Sequence, residues 1–234
     1  MNYMDKEYIT DACLCPTDVI DSNNPVIIEL AGEITERAAG EAEAASLLFY
    51  YTRDSIRYNP YSPFHAREDY VASTVIQRGY GYCIQKAVVL AALARAAGIP
   101  SRLGFANIRN HQLPEKMLEL QGTDIIYDHG FTELFLGGEW LKATPAFNRG
   151  MCDMLGLVPV EFDGRSHGVF SRNDIHGNIS IEYLDEVGSW PDLPLDHILG
   201  AFERIFGPER FKQIICMIEE HGHAGAMSMV GVDI

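Results

Sequence analysis

Gly79-Tyr80-Gly81-Tyr82-Cys83-Ile84-Gln85-Lys86, an apolar run to Ala97, and the closing Gly98-Ile99-Pro100-Ser101-Arg102 form the stretch whose reading decides the fold. Gly79 and Gly81 mark a turn, and the Ala/Val/Leu run from Ile84 to Ala97 predicts a helix interrupted by polar residues only at Gln85, Lys86 and Arg95. A helix apolar nearly all round belongs inside the protein. Cys83 therefore enters at the first turn of a buried helix, where the positive end of the macrodipole favours thiolate over thiol. The rest of the chain must supply its partner.

The 234 residues are 47% hydrophobic, enough for a sizeable core, and are read as one domain. Residues 1–44 form an N-terminal helical extension and 151–234 a C-terminal elaboration of a core at 45–150. Eighteen Lys+Arg against 33 Asp+Glu give a formal charge of −15, which argues against nucleic acid and anionic membrane as partners. The start of the chain lacks a basic region followed by an apolar core, and no stretch reaches the ~20 apolar residues of a spanning helix. A cytoplasmic protein is expected. Five cysteines, an odd and thinly spread set, are expected to be reduced, and Cys13-Leu14-Cys15 lacks zinc-ligand spacing. Neither metal nor cofactor is expected.

Outward from the central stretch, Asn24-Pro25 reads as the cap and first residue of a helix to about Ala39, and Glu41 to about Ile56 as a second. Arg57 to Pro63 reads as a tyrosine- and proline-rich loop, and Asp69 to Arg78 as a short helix. After Pro100 the period changes. Arg102–Arg109 alternates as a strand, Leu113–Gln121 suggests a surface helix, and Gly130–Leu136, Gly137-Gly138 and Trp140–Pro145 form an antiparallel hairpin. Further on, Met151–Leu157 reads as a helix, Val160–Gly164 as an edge segment and turn, Asn178–Leu184 as a strand, and Asp196–Phe206 and Glu209–Glu220 as helices. The order indicates an α+β domain whose antiparallel sheet packs on the Cys83 helix, flanked by N- and C-terminal helices.

A reactive thiol needs an imidazole within reach. His129 enters the first strand of the hairpin, whereas His65, His111, His167 and His176 lie in loops and turns, and His197, His221 and His223 in or after the terminal helices. Taken together, Gly81-Tyr82-Cys83, Ala91–Arg102, His129-Gly130-Phe131-Thr132-Glu133, Gly138-Glu139-Trp140 and Thr144-Pro145 resemble the core of the transglutaminase-like superfamily. The resemblance implies a papain-like arrangement with Cys83 as nucleophile and His129 as base and acid. It also implies structural roles for Arg102, near the helix end, and Trp140, in core beneath the hairpin.

The third position departs from the family pattern, with Thr144 standing where an aspartate is usual. A two-residue Gly137-Gly138 turn pairs Phe131 with Thr144 and puts Thr144 on the face of His129, one diagonal step away. Threonine can accept a hydrogen bond from an imidazole N–H but brings no negative charge. Asp163 and Asp128 are the alternative carboxylates, and Gln77 is the side-chain candidate for an oxyanion donor beside the Cys83 amide. The implied activity is attack on a peptide or amide substrate, with hydrolysis preferred because calcium-loop spacing is absent. Transamidation and a non-catalytic binding module on the same scaffold are the alternatives.

Overall fold

A computed structural model describes residues 11–113, 115, 118–119 and 122–216. Helix α1 (Pro25–Thr35) is capped by Asn24, whose side chain accepts from the Val26 N–H at 3.0 Å. It stops short of Ala39 because the Ala39 N–H is taken by the Glu43 carboxylate of the next helix, at 2.7 Å. Helix α2 (Glu41–Ser55) follows. The loop expected at 57–63 begins instead as a strand, β1 (Arg57–Tyr58), paired in parallel with β2 (Tyr80–Gly81). That pairing ties the tyrosine loop to the entrance of the Cys83 helix. Between them, the helix expected over 69–78 is split into a 3-10 turn (Arg67–Tyr70) and α3 (Ala72–Arg78).

Helix α4 (Cys83–Ala96) is the centre of the molecule, packed against α1, α2 and α3 on one side and the sheet on the other. The sheet is antiparallel, in the order β5-β4-β3-β6, with β3 Ser101–Asn110, β4 Ile125–Leu136, β5 Glu139–Ala143 and β6 Ile181–Trp190. The hairpin register is Leu136↔Glu139 through Thr132↔Ala143, so its turn is Gly137-Gly138 as expected. Two strands differ from expectation. β4 begins five residues earlier, across an irregularity opposite Ala106–Ile108, and β6 starts after Asn178 and runs on to Trp190. Asn178 is held out of the strand by the Asp174 carboxylate, which accepts its N–H at 2.8 Å. Helix α5 (Arg149–Leu155) and α6 (Leu195–Phe206) complete the named elements. The surface helix expected at 113–121 and the end of the helix expected at 209–220 fall largely outside the described residues.

Because α4 is apolar all round, its three polar side chains set its rotation. Gln85 Nε2 donates to the Pro63 and Asp69 carbonyls at 2.6 and 2.9 Å, while its Oε1 accepts from the Tyr82 N–H. Lys86 is fully buried and donates to the Arg53 and Ile56 carbonyls at the end of α2, at 2.8 and 2.6 Å. Arg95 reaches the carbonyls of Cys15, Ser101 and Pro191. Burial pushes the Lys86 ammonium well below its usual pKa. Among the described residues, Asn148 Nδ2 is the other side-chain donor to the Arg53 and Ile56 carbonyls. Lys86→Met should therefore lower stability by about 2–4 kcal/mol; an unchanged urea midpoint would contradict this.

Candidate active site

Side chains alternate along β4. Gly130, Thr132 and Leu134 face α4: a Cβ on Gly130 would lie 2.8 Å from Ile84 Cα, and Thr132 Oγ1 donates to the Ala87 carbonyl at 2.8 Å. Phe131 lies on the other face, its ring over Gly104 of β3 and beneath the Lys142 ammonium at 5.5 Å. His129 shares that face. Thr144 continues the β5 register opposite Phe131 and so shares it too. Both are buried, at 2% and 0% exposure.

Cys83 is the first residue of α4 and only 6% exposed. Three backbone N–H groups are directed at its sulphur, those of Gly130, Ile84 and Cys83 itself. The Gly130 amide brings the sulphur to the strand position next to His129. The sequence expectation of a thiolate favoured by the helix start does not hold for this enclosed site. Burial outweighs the three donors and, with the nearby Asp128 charge, pushes the thiol up to about 11. Burial likewise pushes the His129 imidazole down to about 3. Thiol and imidazole are thus both neutral near pH 7. Tyr58, Tyr70, Tyr82 and Tyr183 all lie close enough for the Cys83 charge to act on their phenols, each of which burial chiefly raises.

The His129 ring packs on Phe170 at 5.1 Å, Phe170 on Phe147 at 4.9 Å, and Phe147 on Tyr58 at 4.9 Å. This aromatic file covers the histidine with the segment that follows β5. Gly168 joins the β5 edge: its N–H donates to the Lys142 carbonyl at 2.7 Å and its carbonyl accepts from the Thr144 N–H at 2.8 Å. His129 Nε2 and Thr144 Oγ1 are both buried without a hydrogen-bond partner of ordinary geometry among the described residues.

Among the described residues, none of the remaining candidates forms a hydrogen bond with His129 Nε2. Asp128 is buried, with φ of 51° in the β4 irregularity, and its N–H is satisfied by Asn107 Oδ1 at 3.1 Å. Its carboxylate lies 3.4 Å from His197 Nε2 on α6. Asp163 is exposed and accepts from the Arg165 and Ser166 N–H groups, both at 2.8 Å, which holds its carboxyl below the usual range. Gln77 is exposed on α3, which turns Ala72 and Val75 inward, so the donors at the sulphur are backbone amides. Arg102 pairs with Glu133 at 2.6 Å and covers the Trp140 ring at 4.2 Å, a structural stack on the sheet surface that leaves Trp140 half-buried. The sequence reading missed Phe170 and Tyr183. The one usable signal was the proximity of the 146–180 segment to the hairpin end, since an aromatic in a loop has no pattern of its own.

The model of the transglutaminase-like superfamily matches residues 28–145. No curated protein matches the chain in sequence. Among solved structures, a proposed cysteine protease from Cytophaga hutchinsonii is 17% identical, over 78% of this chain and 47% of that one, with a TM-score of 0.49. A proposed protease from Parabacteroides distasonis is 16% identical over 54% of this chain and 24% of that one, with a TM-score of 0.39. The periplasmic domain of TgpA from Pseudomonas aeruginosa is 21% identical over 52% and 42%, also at 0.39. The chain spans about half the length of the first of these structures.

Two consequences can be measured. Gly130→Ala drives a methyl into the backbone of Ile84 and should cost about 1–3 kcal/mol in a urea titration; no loss would mean that the strand does not press on the helix. For His129, the folded pKa of about 3 lies below the unfolded value of about 6.5. As pH falls below about 6.5, the unfolded chain takes up a proton that the folded one refuses, so stability is lost down to about pH 3. His129→Gln should flatten that acid limb, and equal slopes in the two proteins would contradict burial of a neutral imidazole.

Proposed function

The chain belongs to the transglutaminase-like superfamily, and from that premise we propose that it is a thiol-dependent enzyme acting on amide bonds, hydrolytic rather than cross-linking. The observation that carries the reading is the Cys83 sulphur at a helix start, met by the Gly130 amide beside a buried His129. A neutral thiol beside a neutral imidazole suits general base catalysis. As the sulphur attacks the carbonyl carbon, the thiol proton passes to His129 and the carbonyl π pair moves onto oxygen. Backbone N–H groups at the helix start stabilise that oxyanion. Collapse breaks the C–N bond, the imidazolium gives its proton to the departing amine, and a thioester remains on Cys83. Water then attacks the thioester with His129 again taking the proton, and the acid leaves as the thiol is restored.

Substrate must displace part of the aromatic file over His129, because neither reacting side chain is open to solvent. A non-catalytic module is the second reading, favoured by one observation: a hydroxyl rather than a carboxylate at Thr144.

The test offers casein and a fluorescent primary amine to the protein and follows both new amino termini and covalent label. Cys83-dependent amino termini without label are expected, with His129→Ala slowing their release by at least about a hundredfold. Label outrunning hydrolysis would replace the hydrolase with a transamidase. Products formed equally by Cys83→Ala would sink the thiol mechanism.

A further inference from the structure

Tyr183 stands on β6, two strands from His129, yet its hydroxyl reaches the hairpin end. In the parallel bridge between β5 and Gly168, the next rung would join the Phe170 N–H to the Thr144 carbonyl. The Phe170 N–H is instead 3.4 Å from the Tyr183 hydroxyl oxygen. The phenol oxygen thus takes the backbone donor of the residue whose ring packs on His129, while Tyr183 as a whole stays 37% exposed. Thr144 Oγ1 forms no hydrogen bond of ordinary geometry in this closed arrangement, although it is near enough to the Tyr183 phenol to oppose in part the rise that burial imposes on it. Thr144 and His129 are fully and almost fully buried, each with an unpartnered polar atom on the same sheet face.

We propose that Tyr183 is the positioning residue for His129: its hydroxyl oxygen accepts the Thr144 O–H, which aims the Thr144 lone pairs at the imidazole N–H. This deepens the thiol–imidazole reading above and rests on it. No bond is made or broken in the relay. Thr144 Oγ1 accepts one hydrogen bond and the Tyr183 oxygen two, from Thr144 and from the Phe170 N–H, and the chain His129 N–H to Thr144 to Tyr183 grows stronger as positive charge develops on the ring. The pair supplies orientation where a carboxylate would supply orientation and charge. Only the orientation requires Tyr183, so a carboxylate installed at 144 should make the phenol dispensable.

Alkylation of Cys83 by iodoacetamide, read by peptide mass spectrometry from about pH 6 to about pH 10, separates the possibilities. Tyr183→Phe keeps the aromatic ring, removes the hydroxyl and leaves the Phe170 N–H without that acceptor, a loss shared by the Thr144→Asp background. It should slow alkylation about tenfold near neutrality, where the thiol needs its base, and much less at the alkaline end, where thiolate forms unaided. In a Thr144→Asp background the same change should have less than a twofold effect, roughly, because the carboxylate orients the ring directly. Thermal unfolding of each variant reports folding. Equal rates for Tyr183→Phe and the parent protein at all pH values would overturn the proposal. So would equal slowing at every pH, which marks a packing role, or an undiminished effect in the Thr144→Asp background. If His129→Ala leaves alkylation unchanged near neutrality, the thiol–imidazole reading itself fails, an outcome distinct from the failure of Tyr183 alone.

Discussion

The candidate site depends on the seat of Gly130 on the first turn of α4, where a Cβ would lie 2.8 Å from Ile84 Cα. It fixes the distance between a strand and a helix that otherwise share apolar side chains and the Thr132–Ala87 hydrogen bond. The register of β4 then decides what else lies at the helix start: His129 on one side of the glycine and Phe131 on the other. Such a contact is useful only if the helix cannot turn about its axis. Gln85, Lys86 and Arg95 provide that restraint, each bound to backbone carbonyls of a different segment. A helix buried on every side has no amphipathic preference for one orientation, and these three directed groups replace it.

The same enclosure sets the electrostatics. A helix start offers about half a positive charge, and three amides meet the sulphur, yet burial dominates because desolvating a thiolate costs more than those donors return. An exposed cysteine with the same neighbours would be acidic; this one is a neutral thiol. His129 is governed by the identical effect with the opposite sign. Reactivity is therefore coupled to access. Whatever moves Phe170 from the imidazole also readmits water or substrate dipoles, and both pKa values then relax toward each other.

Much of this was legible in the chain. The glycine turn, Cys83 and the apolar run carry a helix signal that no alternative period disputes, and Gly137-Gly138 fixes the hairpin register outright. The bulge at Asp128 was not legible, because it arises from pairing: Asn107 lends a side-chain oxygen to the displaced amide, a contact between residues far apart in sequence. β6 was read short for a related reason. Asp185 and Glu186 look like a strand's end, but one edge of the sheet faces solvent and tolerates them. Tyr183 had no signal at all, since its role depends on a backbone rung that β5 does not complete.

The hydroxyl at Thr144 is consistent with the charge already present. Asp128 is a buried carboxylate whose field raises the Cys83 pKa, and the half-exposed His197 places its Nε2 3.4 Å away. A second carboxylate at position 144 would add to that field in a region of low dielectric, holding the imidazolium better but making the thiol harder still to ionise. A neutral acceptor avoids the second effect. In the proposed mechanism the opposing demands of Cys83 and His129 would meet at this position, and with Asp128 held at the bulge, orientation without charge would leave the sulphur able to give up its proton.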